Sequence, residues 1–252
     1  RILPELNSVI IKGEIIPISN QYQMSMEGCV PMDTAIIFDM DGTLFQTNLI
    51  LEPALEATFE QLRNKGLWSG ETPIDTYREI MGVPLPVVWE TLCPAHSDVV
   101  REESNQLFQM ALIEQIQNDR GALYEGVEST LADLAKVYPM YIASNGQTAY
   151  LEAIMEHYTL NRWIKDMYSI DLVESGNKSE LVSLVMKENG VKRGYVVGDR
   201  SSDIKAASDN NLLSIGVRFD FSQEAELIHA DYILDSFSDI HDVLIKTSLS
   251  QK

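Results

Sequence analysis

From Gly126 to the end of the chain, short apolar runs alternate with helical stretches in a pattern that few folds accommodate. Met140-Tyr141-Ile142-Ala143, Tyr195-Val196-Val197, Leu213 to Val217 and Tyr232-Ile233-Leu234 are continuous apolar runs, as strands buried on both faces require. A shorter run stands near Met167 to Ile170. Between the runs lie stretches of helical period: Val127 to Ala135, one through Leu151, Ile154 and Met155, and one after Lys178 with Leu181, Leu184 and Val185 inward. Asp203 to Asn210, Gln223 to Ile228 and a last stretch to about Ile245 complete the series. Parallel neighbours need a crossover connection, so this alternation predicts βαβ units and a doubly wound α/β fold with a parallel sheet. An earlier run, Ala35-Ile36-Ile37-Phe38, has the same character and stops at Asp39-Met40-Asp41-Gly42-Thr43.

Between that first strand and Gly126 no strand pattern appears. Leu51, Leu55, Phe59 and Leu62 share a helical face, and the helix breaks at Gly66 and Trp68-Ser69-Gly70. Further helical stretches run from Tyr77 to Met81, from Val87 to Leu92, and from Val99 to Gln117 with Leu107, Ala111 and Ile116 among its apolar positions. The reading is a small helical domain over residues 49–121, hinged at both ends and inserted into an α/β core made of residues 32–48 and 122–252. Residues 1–31 form an extension of unknown role, in which Ser8 to Ile18 reads as two short strands around Lys12-Gly13.

The chain carries 19 basic and 38 acidic residues, a formal net charge of −19. This disfavours nucleic acid and anionic membrane surfaces as partners. An anionic substrate therefore needs a local positive group. Apolar runs fall short of a bilayer span and the first residues lack a signal-peptide pattern, so a cytoplasmic location is expected. Cys29 and Cys93 stand far apart without a metal-ligand spacing, which points to neither a disulfide framework nor a zinc site.

In open α/β sheets ligands collect beyond the carboxyl ends of the strands. The residues just past the strand ends are Asp39 and Asp41, then Ser144-Asn145-Gly146, then Gly198-Asp199-Arg200-Ser201-Ser202-Asp203, with Lys178 opening the helix before the third. Each alone has a plain structural explanation as a turn, a cap or a solvated charge. Together they fall at equivalent strand ends and converge on one crevice. Two carboxylates separated by one residue can divide labour if their surroundings push their pKa values apart. His96, His157, His229 and His241 fit no motif.

This combination resembles the haloacid dehalogenase superfamily of aspartyl-phosphate enzymes, over about residues 34–235. The helical block is similar to the cap of the subgroup that includes phosphoglycolate phosphatase and β-phosphoglucomutase. Tyr124-Glu125-Gly126-Val127 resembles the return from cap to core. The resemblance implies a Rossmann-like core with a helical cap, Asp39 as nucleophile and Asp41 as general acid/base. It assigns phosphate binding to Gly42, Thr43, Ser144, Asn145 and Lys178, the lysine also counting as catalytic. It places Mg²⁺ on Asp39, Asp41 through its backbone carbonyl, Asp199 and Asp203, and the all-oxygen donor set agrees with that ion. Two departures stand out: Phe45-Gln46-Thr47-Asn48 where many members carry Asp-Ser, and Asn177-Lys178-Ser179-Glu180 where many follow the lysine with Pro-x-Pro.

The implied function is a Mg²⁺-dependent phosphatase acting on a small phosphorylated metabolite, as a monomer or homodimer. A phosphomutase of the β-phosphoglucomutase type and a catalytically silent binding protein are the alternatives. Gly82-Val83-Pro84-Leu85-Pro86 is the candidate specificity loop, and Arg78 a candidate contact for a second anionic group.

Overall fold

A computed structural model describes residues 8–11, 14–17, 30–80, 83, 85–220 and 222–250. Six parallel strands form one sheet in the order β5-β4-β3-β6-β7-β8. They are β3 (Thr34–Phe38), β4 (Met140–Ser144), β5 (Asp166–Ser169), β6 (Arg193–Gly198), β7 (Leu213–Val217) and β8 (Tyr232–Leu234). The short N-terminal strands β1 (Ser8–Ile11) and β2 (Glu14–Pro17) pair antiparallel with each other, apart from this sheet. That matches the hairpin expected there, while its Lys12-Gly13 connection lies outside the described residues.

β3 sits between β4 and β6, with Ile36 beside Met140 on one side and Tyr195 on the other. The chain winds outward from β3 to β5, then crosses back to start β6 on the opposite side. This reversal leaves a crevice at the carboxyl end of β3.

Strand side chains alternate between two apolar layers, which is why these runs are apolar throughout. Ile36, Phe38, Met140, Ile142 and Val197 belong to one layer, packed with residues of α5 (Val127–Leu134), α6 (Thr148–His157) and α10 (Ile240–Ser250). Ala35, Ile37, Tyr141, Ala143 and Val196 belong to the other, covered by α7 (Lys178–Asn189) and α8 (Ser201–Asp209). The short α9 (Glu224–Leu227) precedes β8. Complete burial of a residue such as Phe38 contributes roughly 1.5–3 kcal/mol, so charge in these runs would be costly.

The segment after β3 forms four helices: α1 (Asn48–Asn64), α2 (Ile74–Ile80), α3 (Leu85–Leu92) and α4 (Asp98–Gln117). The face predicted for α1 is buried, Leu51, Leu55, Phe59 and Leu62 alike. On α4, Ala111 and Ile116 are buried as expected, but Leu107 is only partly so and Phe108 and Leu112 take the inward positions. An aromatic group of Phe59, Trp68, Tyr77, Trp89 and Phe108 fills the interior of this insert. Its apolar packing continues into the layer that covers the sheet.

The chain enters and leaves the insert through two paired segments. Gln46 N–H donates to the Ala122 carbonyl (2.8 Å) and Tyr124 N–H to that of Leu44 (3.0 Å), while the Gln46 side chain donates to the Leu123 carbonyl (2.7 Å). Among the described residues no helix is long and apolar enough to cross a membrane.

Candidate active site

Asp39 directly follows β3, and its N–H still donates to the Val197 carbonyl of β6 at 2.8 Å. The ladder therefore fixes its backbone. The chain then folds tightly, the N–H groups of Leu44 and Phe45 both donating to the Met40 carbonyl at 3.0 and 2.9 Å. Gly42 holds φ at +72°, and a Cβ there would lie 2.4 Å from Asp199 Oδ2. Glycine is required both for the turn and for the approach of this backbone to Asp199.

β6 brings Asp199 to the same place, and the first turn of α8 brings Asp203. A Cβ at Gly198 would collide with the Asp203 carboxyl at 2.1 Å, so the small residue makes room for the acid. One oxygen from each of Asp39, Asp199 and Asp203 lies within 4.8 Å of the others, and all three residues are buried. Lys178, first residue of α7 and only 5% exposed, places Nζ 2.8 Å from Asp39 Oδ1 and 2.5 Å from Asp203 Oδ1. Its neighbour Asn177 caps the helix, the Oδ1 accepting from Ser179 N–H at 2.8 Å. Burial opposes the ammonium charge, but Asp203 and Asp39 outweigh it and hold the lysine pKa above its usual range.

Asp41 faces different surroundings. Its Oδ1 accepts from the Thr47 hydroxyl and from the Tyr150 phenol, both at 2.5 Å. Burial pushes its pKa up to about 6 against the lowering effect of those two donors. Burial, then the nearby Asp39 and Asp203, likewise raises Asp199 well above the ordinary carboxylate range. For Asp203 burial is again the main cause, Lys178 opposing it, and the value is about 6.

The predicted site residues divide accordingly. Asp39, Asp199, Asp203 and Lys178 come together as one buried cluster. Asp41, Ser144 and Asn145 line the adjoining cleft with Asp39 and Asp199. The Ser144 hydroxyl accepts from Gly146 N–H at 3.2 Å and so shapes the loop that precedes α6. Gly42 and Thr43 do not line the cleft; Thr43 is fully buried, with its hydroxyl 3.5 Å from Asp199 Oδ1. Arg78 does not line it either, and pairs at the surface with Glu52 and Asp75. Of the loop at 82–86, Val83 lines the cleft, while Gly82 and Pro84 lie outside the described residues. None of the four histidines is among the lining residues.

Sequence reasoning missed Tyr150, Tyr77 and the Arg200–Glu226 pair. Tyr150 reads as a core position because Leu151 and Ile154 share its helix, and it is indeed buried at 3% exposure. A buried tyrosine nevertheless needs a partner for its hydroxyl, and the partner here is Asp41. Arg200 at the cleft rim is held by Glu226 through Nε and a terminal nitrogen, at 3.0 and 3.1 Å.

A dication fits this arrangement. Four carboxylates, those of Asp39, Asp41, Asp199 and Asp203, surround one buried ammonium, and the three clustered ones offer only hard oxygen donors.

The sequence model of the haloacid dehalogenase-like hydrolases matches residues 36–217. A 5'-nucleotidase of Pseudomonas aeruginosa is 23% identical over 196 residues, covering 76% of this chain and 86% of its own. The pyrophosphatase PpaX of Listeria monocytogenes is 22% identical over 216 residues, covering 82% and 94%. Among solved structures, a predicted phosphatase from Clostridium acetobutylicum superposes with a TM-score of 0.71 at 20% identity, over 86% of this chain and all of that one. With its parallel six-stranded sheet, its acidic cluster at the central strand ends and a family match over most of its length, this chain belongs to the haloacid dehalogenase-like hydrolases.

Proposed function

We propose that the protein is a Mg²⁺-dependent phosphatase that hydrolyses a small phosphomonoester through an aspartyl-phosphate on Asp39. The observation that carries this reading is the contrast between two aspartates two residues apart. Asp39 stands against Lys178 in a cluster of carboxylates, while Asp41 is half-buried and apart from that cluster, with a pKa of about 6. One is placed to act as an anion, the other to carry a proton.

In the first half-reaction an Asp39 oxygen attacks phosphorus as the bond to the leaving oxygen breaks. Asp41 donates its proton to that oxygen, releasing the alcohol. In the second, Asp41 as carboxylate takes a proton from water, whose oxygen attacks the phosphorus of the aspartyl-phosphate. Inorganic phosphate leaves and the Asp39 carboxylate returns. Thr47 and Tyr150 orient the Asp41 carboxyl throughout. Lys178 balances charge beside the nucleophile, and the loop at Ser144 and Asn145 receives phosphoryl oxygens. Asp39, Asp199 and Asp203, with the Asp41 backbone carbonyl, would hold the ion, whose positive charge lets an anionic ester approach these carboxylates. Helices α1–α4 act as a cap that excludes water over the crevice.

The relatives support a phosphoryl-transfer reading without fixing the substrate: one carries the name of a 5'-nucleotidase, another that of a pyrophosphatase. The test is phosphate release from a panel of phosphorylated metabolites with Mg²⁺, without any bisphosphate activator. Asp39→Asn is expected to abolish release. Asp41→Asn is expected to lower it by about 10²–10⁴-fold for alkyl phosphates, and unimpaired turnover by either variant would refute the assignment.

A further inference from the structure

Among the described residues that line the cleft, Arg200 is the one cation, and Glu226 already grips it through two nitrogens. Lys178 is committed to Asp39 and Asp203. In the hollow beside the cleft, Lys205 is paired with Asp209 at 2.6 Å. Each cation within reach thus holds a carboxylate before any substrate arrives.

The insert's share of the wall is largely apolar. Tyr77 from α2, Val83, and Phe108 and Leu112 from α4 line the side across from the strand ends, and Tyr150 continues it. Besides the phenol hydroxyls of Tyr77 and Tyr150, the second of which donates to Asp41, one polar side chain interrupts this surface: Gln109 lines the cleft, and its Oε1 is buried with no hydrogen-bond partner among the described residues. A primary amide offers a donor at one end and an acceptor at the other, so it matches a neutral hydroxyl, which can take either role. A full negative charge against this wall would be left unpaired, at the cost that makes unpartnered buried charges rare.

Resting on the phosphatase reading above, we infer that the substrate is a phosphomonoester of an uncharged, hydroxyl-bearing alcohol with an apolar or aromatic face. Esters whose leaving part carries a carboxylate or a second phosphate are rejected. Gln109 binds a hydroxyl of the alcohol, and Tyr77, Phe108 and Leu112 cover its apolar side.

The experiment compares kcat/KM of the full chain with Mg²⁺ for phenyl phosphate, glycerol 2-phosphate and a nucleoside monophosphate against phosphoglycolate, pyrophosphate and a hexose bisphosphate. The best neutral ester is expected to exceed every anionic one by about a hundredfold or more, the discrimination an unpaired buried charge provides. In Gln109→Lys the ratio of phosphoglycolate to the best neutral ester is expected to rise about tenfold as the new cation pairs the carboxylate. A wild-type preference for an anionic ester, or equal turnover of both classes, would overturn this inference and leave the phosphatase reading standing. Release of phosphate from none of the six would overturn both.

Discussion

The strand ends and the helical insert meet across one cleft but are made of opposite materials. At the strand ends, charge is packed at close range: three buried carboxylates within 4.8 Å, a lysine between two of them, and glycines where a Cβ would collide with an acid. The insert contributes aromatic and aliphatic side chains, with polar groups that mostly satisfy one another. Trp89 Nε1 donates to Asn105 Oδ1 at 3.0 Å, and Asn105 Nδ2 donates to Gln147 Oε1 at 3.1 Å, tying the insert to the loop before α6. Under the proposed function, reaction chemistry would belong to the sheet and substrate choice to the helices.

Substitutions on the two sides should therefore fail differently. Lys178→Ala breaks the charge cluster, and kcat is expected to fall by about 10²–10³-fold, the usual loss on removing a preorganised charge partner. Steady-state kinetics at saturating Mg²⁺ would measure it; a pure KM effect would place the lysine outside the chemistry.

Tyr150→Phe loosens Asp41 without removing it. A loss of about tenfold in kcat is expected for alkyl phosphates, which need a proton on the leaving oxygen, and little for p-nitrophenyl phosphate, which does not. Equal losses for both esters would reduce Tyr150 to a packing role.

The cluster should also leave a mark on stability in metal-free protein. A carboxyl whose folded pKa lies above its unfolded value binds protons more tightly when folded. Its contribution is then present at low pH and disappears as pH rises through the window between the two values. For Asp41 and Asp203 that window runs from 3.8 to about 6, and for Asp199 it extends higher. The melting temperature of the metal-free chain is therefore expected to fall as pH rises through this range, and Mg²⁺ to restore it. Asp199→Asn, which removes the least easily ionised of these buried carboxyls, is expected to stabilise the metal-free protein near neutral pH. A variant no more stable than the parent there would show that the acidic cluster stores no such strain.

The smallest effect belongs to the insert. Asn105→Ala removes a buried link and leaves Trp89 Nε1 without its acceptor, a loss of about 1–3 kcal/mol. Thermal denaturation would read it directly. Because Asn105 does not line the cleft, kcat is expected to change far less than in Lys178→Ala.

Much of the sheet was legible because its strands are buried on both faces and so read as uninterrupted apolar runs. The acids were legible for a related reason: a charge directly after such a run has to stand at its end. Strand order was less accessible, since nothing local to Thr34–Phe38 says that β4 and β6 will flank it. Partners of side-chain tips were hidden altogether. Tyr150 lies 109 positions from Asp41, and the helical period that identifies it as inward-facing is silent about its hydroxyl. The same holds for Asn105 and Gln147, polar residues whose use appears only once α4 packs against α6.

The central claim is that Asp39 carries the phosphoryl group. Rapid mixing of Asp41→Asn with an excess of p-nitrophenyl phosphate and Mg²⁺, followed by acid quench and mass spectrometry, tests it directly. Loss of the base should stall hydrolysis of the intermediate, so the account predicts one phosphoryl group on the peptide containing Asp39, absent when Asp39→Asn is added. Turnover by Asp39→Asn alone, or a phosphoryl group trapped on any other residue, would contradict it.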